Sequence, residues 1–265
     1  LKAPKDQAHT NNMIQRDLLE QTRLGIPAVF HEESCSGYLA QDAEMFPMPI
    51  GLAATFNPEI VRHAGETIRR QMLAVGARHT LAPVADVARD ARWGRVEETF
   101  GEDPYLVGRM AVAYVQGVQG NDLRDGVVCT GKHFMGYGAS QGGLNWAPAP
   151  MGQREMMDVF AAPFAAMIAE ANVASIMNGY QEIDGVVCGG SKTLLTDVLR
   201  GELGFKGTVS SDYFTVPTLA NYHNMAATPA EAARIALEAG LDIELPTIDA
   251  YKHLEAEIAS GRLSE

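Results

Sequence analysis

The chain reads as an α/β protein wound on a parallel barrel, and three observations lead there. Short apolar runs alternate with longer helix-type patterns, the mark of repeated strand–helix units and a parallel sheet. Neither G-x-G-x-x-G nor G-x-x-x-x-G-K-S/T occurs, so the phosphate loop expected of an open doubly wound sheet is missing. The apolar runs also end in polar residues, and a parallel barrel gathers its C-terminal strand ends into one functional face.

Taken in order, the strand-like runs are Ile26 to Phe30, Thr80 to Val84, Val127 to Thr130, Val173 to Met177, Thr208 to Ser210 and Leu241 to Leu245. Pro49 to Ala54 offers a seventh. Measured against the eight strands of a complete barrel, the expectation is a TIM-like (β/α)8 barrel lacking its first strand in this chain. Asn57-Pro58, Asp103-Pro104 and Thr228-Pro229 each place a capping residue before a proline at the first helical position. Thr228 with Glu231 has capping-box spacing. The helix that follows carries Ala232, Ile235, Ala236 and Ala239 on one face and stops at Gly240. Further helices are expected over Arg154 to Glu170 and Ser191 to Glu202.

Composition sets the class. With 265 residues, 46% hydrophobic and 20% charged, the chain can bury a full domain core and is not of disordered type. A formal net charge of -12 is unfavourable for nucleic acid and for anionic membrane surfaces. No window approaches the roughly 18 to 20 apolar residues of a membrane span. Leu1 to Asp6 lack the apolar core of a signal peptide. Cys35, Cys129 and Cys188 are widely spaced, without CxxC or zinc spacing, and lean towards a reducing, cytoplasmic compartment over secretion. No metal or other cofactor is expected.

The strand ends supply the candidate site. They carry His31-Glu32-Glu33, Asp86, Lys132-His133, Asn178 with Tyr180, Asp212 and Glu244. Asp212 ends a short β-prone run and is the first candidate for a catalytic carboxylate, against the plainer role of capping the next turn. Lys132 admits three readings: a Schiff-base amine of a lyase, a charged donor to sugar hydroxyls, or a solvated lysine. Two long loops rise on the same face, residues 85–104 with Arg95 and several acidic groups, and residues 134–150 with Trp146.

These pieces together resemble the N-terminal barrel domain of glycoside hydrolase family 3, the retaining β-glucosidases and β-xylosidases. The resemblance runs from about Asn11 to the C-terminus. It rests on Arg23-Leu-Gly-Ile-Pro27 with His31-Glu-Glu33, and on Ala88-Arg-Asp-Ala-Arg-Trp-Gly-Arg95 followed by Gly101-Glu-Asp-Pro104. Gly131-Lys-His-Phe134, Ser175-Ile-Met-Asn-Gly-Tyr180, Gly204-Phe-Lys-Gly207, Ser211-Asp-Tyr213 and Ala239-Gly-Leu-Asp242 continue it in the family's order.

The resemblance implies an exo-acting retaining β-glycosidase, with Asp212 as the nucleophile that forms a covalent glycosyl-enzyme. By the same carry-over Lys132, His133 and Arg95 hold hydroxyls of the terminal sugar, and as cationic donors would help keep Asp212 ionised. Tyr180 stands near the nucleophile, and Tyr213 forms a wall where many members have Trp. Glu33 falls where glucosidases usually carry Asp; pentose-acting members often have Glu, so glucose and xylose are both expected substrates. The loop 136–148 has neither the Asp nor the His of the single-barrel N-acetylglucosaminidase branch, which is set aside.

The expected division is a barrel over residues 1–248 and, over 249–265, the start of a linker helix to a second α/β sandwich domain that supplies the acid/base. The 265 residues alone are then expected to turn over aryl glycosides very poorly. A homodimer is compatible with this reading. An aldolase-type Schiff-base lyase using Lys132 and a non-catalytic sugar-binding barrel are the alternatives.

Overall fold

Helix starts are the places where local chemistry decides the outcome. In the computed structural model, which describes residues 3–265, α1 spans Pro4–Gln21, α2 Pro49–Ala53, α3 Pro58–Ala74 and α4 Pro104–Gln119. Leu1 and Lys2 of the opening stretch lie outside the described residues. The Asn57 side chain accepts from the Glu59 backbone N–H at 3.1 Å, and Asp103 accepts from Leu106 N–H at 2.7 Å. Each relieves one of the donors that a helix N-terminus leaves unpaired.

The strands pair in chain order. β1 (His31–Glu32), β2 (His79–Thr80), β3 (Val128–Phe134) and β4 (Ser175–Asn178) lie side by side, all parallel. A small antiparallel hairpin, β5 (Glu182–Ile183) with β6 (Val186–Val187), precedes β7 (Thr208–Ser210), which pairs with β4. A parallel bridge from Ser210 to Ile243 adds a sixth position beyond β7. This unreversed order is the winding of a barrel; a doubly wound sheet reverses partway.

Several expectations shift. Residues 26–30 are irregular, and pairing begins at the Phe30 carbonyl, which accepts from the backbone N–H groups of Arg78 and His79 at 3.0 and 3.2 Å. Pro27 lacks an N–H for a ladder, which suits it to an approach segment. The seventh run is no strand: Pro49–Ala53 is α2, opened by its proline and buried on Leu52 and Ala53. The Leu241–Leu245 run contributes only the bridge at Ile243.

The helix expected over Arg154 to Glu170 is broken into α5 (Gln153–Glu155), a π-helical turn Met156–Phe160, and α6 (Ala162–Ala171). Pro163 has no N–H to give to the carbonyl four residues back, and the turn before it widens, with Ala161 N–H donating to Met156 O at 2.9 Å. Thr193–Glu202 is also wound in π fashion. After β7 come α7 (Thr215–Asn221), α8 (Pro229–Ala239) and α9 (Leu254–Ala259).

α8 is as read from the sequence. Thr228 accepts from Glu231 N–H at 3.2 Å while the Glu231 carboxylate accepts from Ala227 N–H at 2.8 Å. Replacing Thr228 with Ala is expected to lower stability by about 1 kcal/mol, read as a shifted urea midpoint with an unchanged slope.

One packing contact reaches the site. α3 and α4 cross where Gly65 meets Gly117, and a Cβ on Gly117 would stand 2.3 Å from the Arg62 carbonyl oxygen. This close approach packs α3 tightly against α4. From α4, the buried Tyr114 hydroxyl donates to the Ser34 carbonyl at 2.7 Å and accepts from the Ser34 hydroxyl at 2.8 Å. The Ser34 hydroxyl also meets that of Thr80 in β2. The backbone just after Glu33 is thereby fixed.

Candidate active site

Asp212 stands two residues beyond β7, with 8% of its surface exposed. Its backbone N–H donates to the Asn178 side chain at 3.3 Å, tying the ends of β4 and β7 together. The next turn is tight: Phe214 adopts φ 63°, a left-handed conformation that costs a non-glycine residue of order 1 kcal/mol or more. Its N–H donates to Leu245 O at 2.9 Å, so pairing with the last strand position holds the turn.

The two carboxylate oxygens have different surroundings. Oδ1 accepts from the Tyr180 hydroxyl at 2.8 Å and from Tyr213 N–H at 2.7 Å. Oδ2 is buried without a hydrogen-bond partner among the described residues and lies 3.4 Å from Nε2 of His133. One oxygen is anchored and the other is available.

β3 delivers Lys132 and His133 to the same place, both buried. Lys132 Nζ donates to both Glu33 oxygens, at 3.1 and 3.2 Å. The His133 ring meets Asp86 Oδ2 at Nδ1, 2.7 Å, and the same oxygen accepts the His133 backbone N–H at 3.0 Å. Arg95 forms a bidentate pair with Glu98, 2.7 Å for each bond, and its guanidinium lies over the Tyr137 ring. His31 Nε2 and the Tyr213 hydroxyl meet at 2.9 Å. An aromatic band continues outward, with Trp146 tilted on Tyr180 at 4.6 Å between centroids and Tyr222 at 5.3 Å from Trp146.

Burial governs the electrostatics. It pushes the Asp212 carboxyl above its ordinary range, and Lys132, the Tyr180 hydroxyl, Arg95 and Tyr213 N–H pull it only part of the way back. The cations therefore soften the burial penalty without reversing it. Burial, then Arg95 and Lys132, hold the His133 ring well below its usual pKa. His133 is neutral at ordinary pH, which corrects its expected role as a cationic donor. Burial alone would lower Lys132, but the negative groups around it, Cys35 when ionised, Glu33 and Asp212, raise it on balance. A lysine held charged is in the wrong state to form a Schiff base. Asp86 is pushed up to about 7, chiefly by burial.

All seven residues singled out from the sequence, Glu33, Arg95, Lys132, His133, Tyr180, Asp212 and Tyr213, belong to this one network of contacts and fields. Glu244 does not: its carboxylate turns away to accept the N–H groups of Ala250 and Tyr251. Glu97 and Glu102 are exposed. Two partners went unassigned. Asp86 stood only as a strand's polar end, although His133 needs a ring partner. Glu98 follows Arg95 by three residues, the spacing of a helical ion pair.

The whole chain, residues 1–265, matches the family model described as the glycosyl hydrolase family 3 N terminal domain. A β-xylosidase of Formosa agariphila is 39% identical over 240 residues, covering 87% of this chain and 33% of the relative. A periplasmic β-glucosidase of Salmonella typhimurium is 34% identical over 253 residues, 95% of this chain and 32% of the relative. The solved structure of a β-glucosidase from Erythrobacter marinus superposes with a TM-score of 0.96 at 38% identity, over 99% of this chain and 35% of that one. The chain thus spans about a third of the length of these relatives.

Proposed function

The chain belongs to glycosyl hydrolase family 3, and on that premise we propose that it bears the nucleophile of a retaining β-glycosidase acting on terminal β-linked glucose or xylose. The observation that carries this reading is the asymmetry of Asp212, one oxygen anchored by Tyr180 and Tyr213 and the other buried and unpaired beside His133. Oδ2 attacks the anomeric carbon as the bond to the leaving-group oxygen breaks, and that oxygen takes up a proton. Water then cleaves the glycosyl ester and restores the carboxylate. Charged Lys132 and Arg95 flank the site as donors to ring hydroxyls, and Tyr213 walls it.

Retaining hydrolysis needs a second carboxyl about 5 Å from the nucleophile as acid/base. Among the described residues Glu33, Asp86 and Glu98 are each engaged, with Lys132, His133 and Arg95 in turn. We propose, as the likeness to two-domain members of the family implies, that the acid/base comes from a further domain; residues 1–248 are on this reading the barrel, and 249–265 lead towards that domain.

Treating the natural full-length protein with a 2-deoxy-2-fluoro aryl glycoside should label Asp212 alone, identified by peptide mass mapping. A label on another residue overturns the assignment.

Glu33 is proposed to set the choice of sugar, because its extra methylene relative to Asp takes up space that a hydroxymethyl group would fill. Glu33→Asp should shift the ratio of aryl β-glucoside to β-xyloside kcat/KM towards glucoside by about tenfold. An unchanged ratio would assign the preference elsewhere.

A further inference from the structure

Two buried polar atoms face each other in this site, His133 Nε2 and Asp212 Oδ2, 3.4 Å apart, and neither is hydrogen-bonded among the described residues. Desolvated polar atoms without partners are costly, and a pair of them marks where a ligand supplies what is missing.

The position of the ring proton follows from Asp86. Its Oδ2 accepts the His133 backbone N–H at 3.0 Å, and an ionised carboxylate oxygen meets that donor and a ring N–H with its two lone pairs. The hydrogen in the 2.7 Å contact with the ring therefore lies on Nδ1. Asp86 Oδ1 is buried and has no acceptor for a carboxyl proton. A second ring proton is opposed by burial and by the nearby charges of Arg95 and Lys132, while the Tyr137 ring, 5.2 Å away, offers only an aromatic contact. Nε2 is left with its lone pair unengaged, 3.4 Å from Asp212 Oδ2.

We propose that Asp86 is a positioning residue that fixes His133 as the Nδ1–H tautomer, so that Nε2 accepts a hydrogen bond from a sugar ring hydroxyl and Asp212 Oδ2 stays free for the anomeric carbon. The identity of the ligand rests on the glycosidase reading. His133 is then an acceptor for substrate, the reverse of its neighbours Lys132 and Arg95, which can only donate. Each hydroxyl can both donate and accept, and a site with both kinds of partner recognises it more fully than a ring of cations.

Nitrogen-15 NMR of the natural full-length protein labelled at histidine, with His133→Gln for assignment, tests the tautomer directly. At about pH 8, above the value near 7 to which burial pushes Asp86, Nδ1 should give a protonated and Nε2 an unprotonated signal. A protonated Nε2 overturns the proposal. This readout needs no turnover, so it stands or falls separately from the glycosidase reading.

The kinetic arm is a cycle between Asp86→Ala and the 2-, 3- and 4-deoxy aryl glycosides. Asp86→Ala should lower kcat/KM on the parent glycoside by about 10- to 100-fold, and by less than about threefold on the one deoxy substrate that lacks the donating hydroxyl. Equal losses on all four substrates overturn the proposal. Asp86→Asn, whose amide oxygen can take the place of Oδ2, should keep the tautomer and recover most of the activity; a variant as impaired as Asp86→Ala counts against it.

Discussion

Replacing Asp212 with Gly or Asn is expected to cut hydrolysis of an aryl β-glycoside by the full-length protein by about 10⁴-fold or more, the loss typical when a covalent nucleophile is removed. The expectation follows from position. Asp212 Oδ2 is buried and unpaired among the described residues, in the field of Lys132 and Arg95. Asparagine keeps the shape and the contact to Tyr180 but cannot form the glycosyl ester. Added azide should restore turnover of the glycine variant and give a product of inverted anomeric configuration, because the external anion enters from the face the carboxylate occupied. Restored turnover with retained configuration would place the nucleophile elsewhere.

The same variant carries a stability signature with a definite sign. Burial raises the folded-state pKa of Asp212 above its unfolded value. The stability linked to this group is therefore fully present below the unfolded pKa and is lost as pH rises through the folded one. Asp212→Asn removes that loss. Its melting temperature relative to the parent should rise from acid to neutral pH. A flat difference across that range would mean the carboxyl is not strained by burial.

Lys132→Met is the second large effect, a fall in kcat/KM of about 10²- to 10³-fold. Two physical losses combine in it. The Glu33 carboxylate loses the ammonium that grips both its oxygens, and a donor to the sugar disappears. Lys132 is also the strongest influence opposing the burial of Asp212. Without it the Asp212 pKa rises further, a smaller fraction is ionised in acid, and the acid limb of the kcat/KM profile moves to higher pH. A uniform loss with an unmoved limb would confine Lys132 to binding.

The parts of the fold that were legible in the sequence are those decided within a few residues. Asn57, Asp103 and Thr228 cap their helices because an acceptor before a proline settles a helix start locally. Strand limits were less legible, because a parallel strand buried on both faces reads as an apolar run whose ends are set by its neighbours. Pro49–Ala53 shows the ambiguity in full: a short apolar run with a proline suits either element until packing chooses. The break before Pro163 was written in the chain, yet the surrounding apolar periodicity outweighed it.

For the site, strand termini brought out Asp212, Lys132 and His133, since polar residues seldom end buried runs without cause. The roles within it were less visible. His133 counts as a cation only if solvated, and nothing in its local sequence tells of the burial that keeps it neutral. Glu244 occupied an equivalent strand end but serves its own chain's next turn.

The hydrogen bond between His31 and Tyr213 joins residues 182 positions apart. Strands added in chain order cannot make that contact until β7 is in place, and such distant closures slow folding. A chain released before residue 212 would hold Lys132 and His133 without Asp212, so this network closes only once that residue has been made.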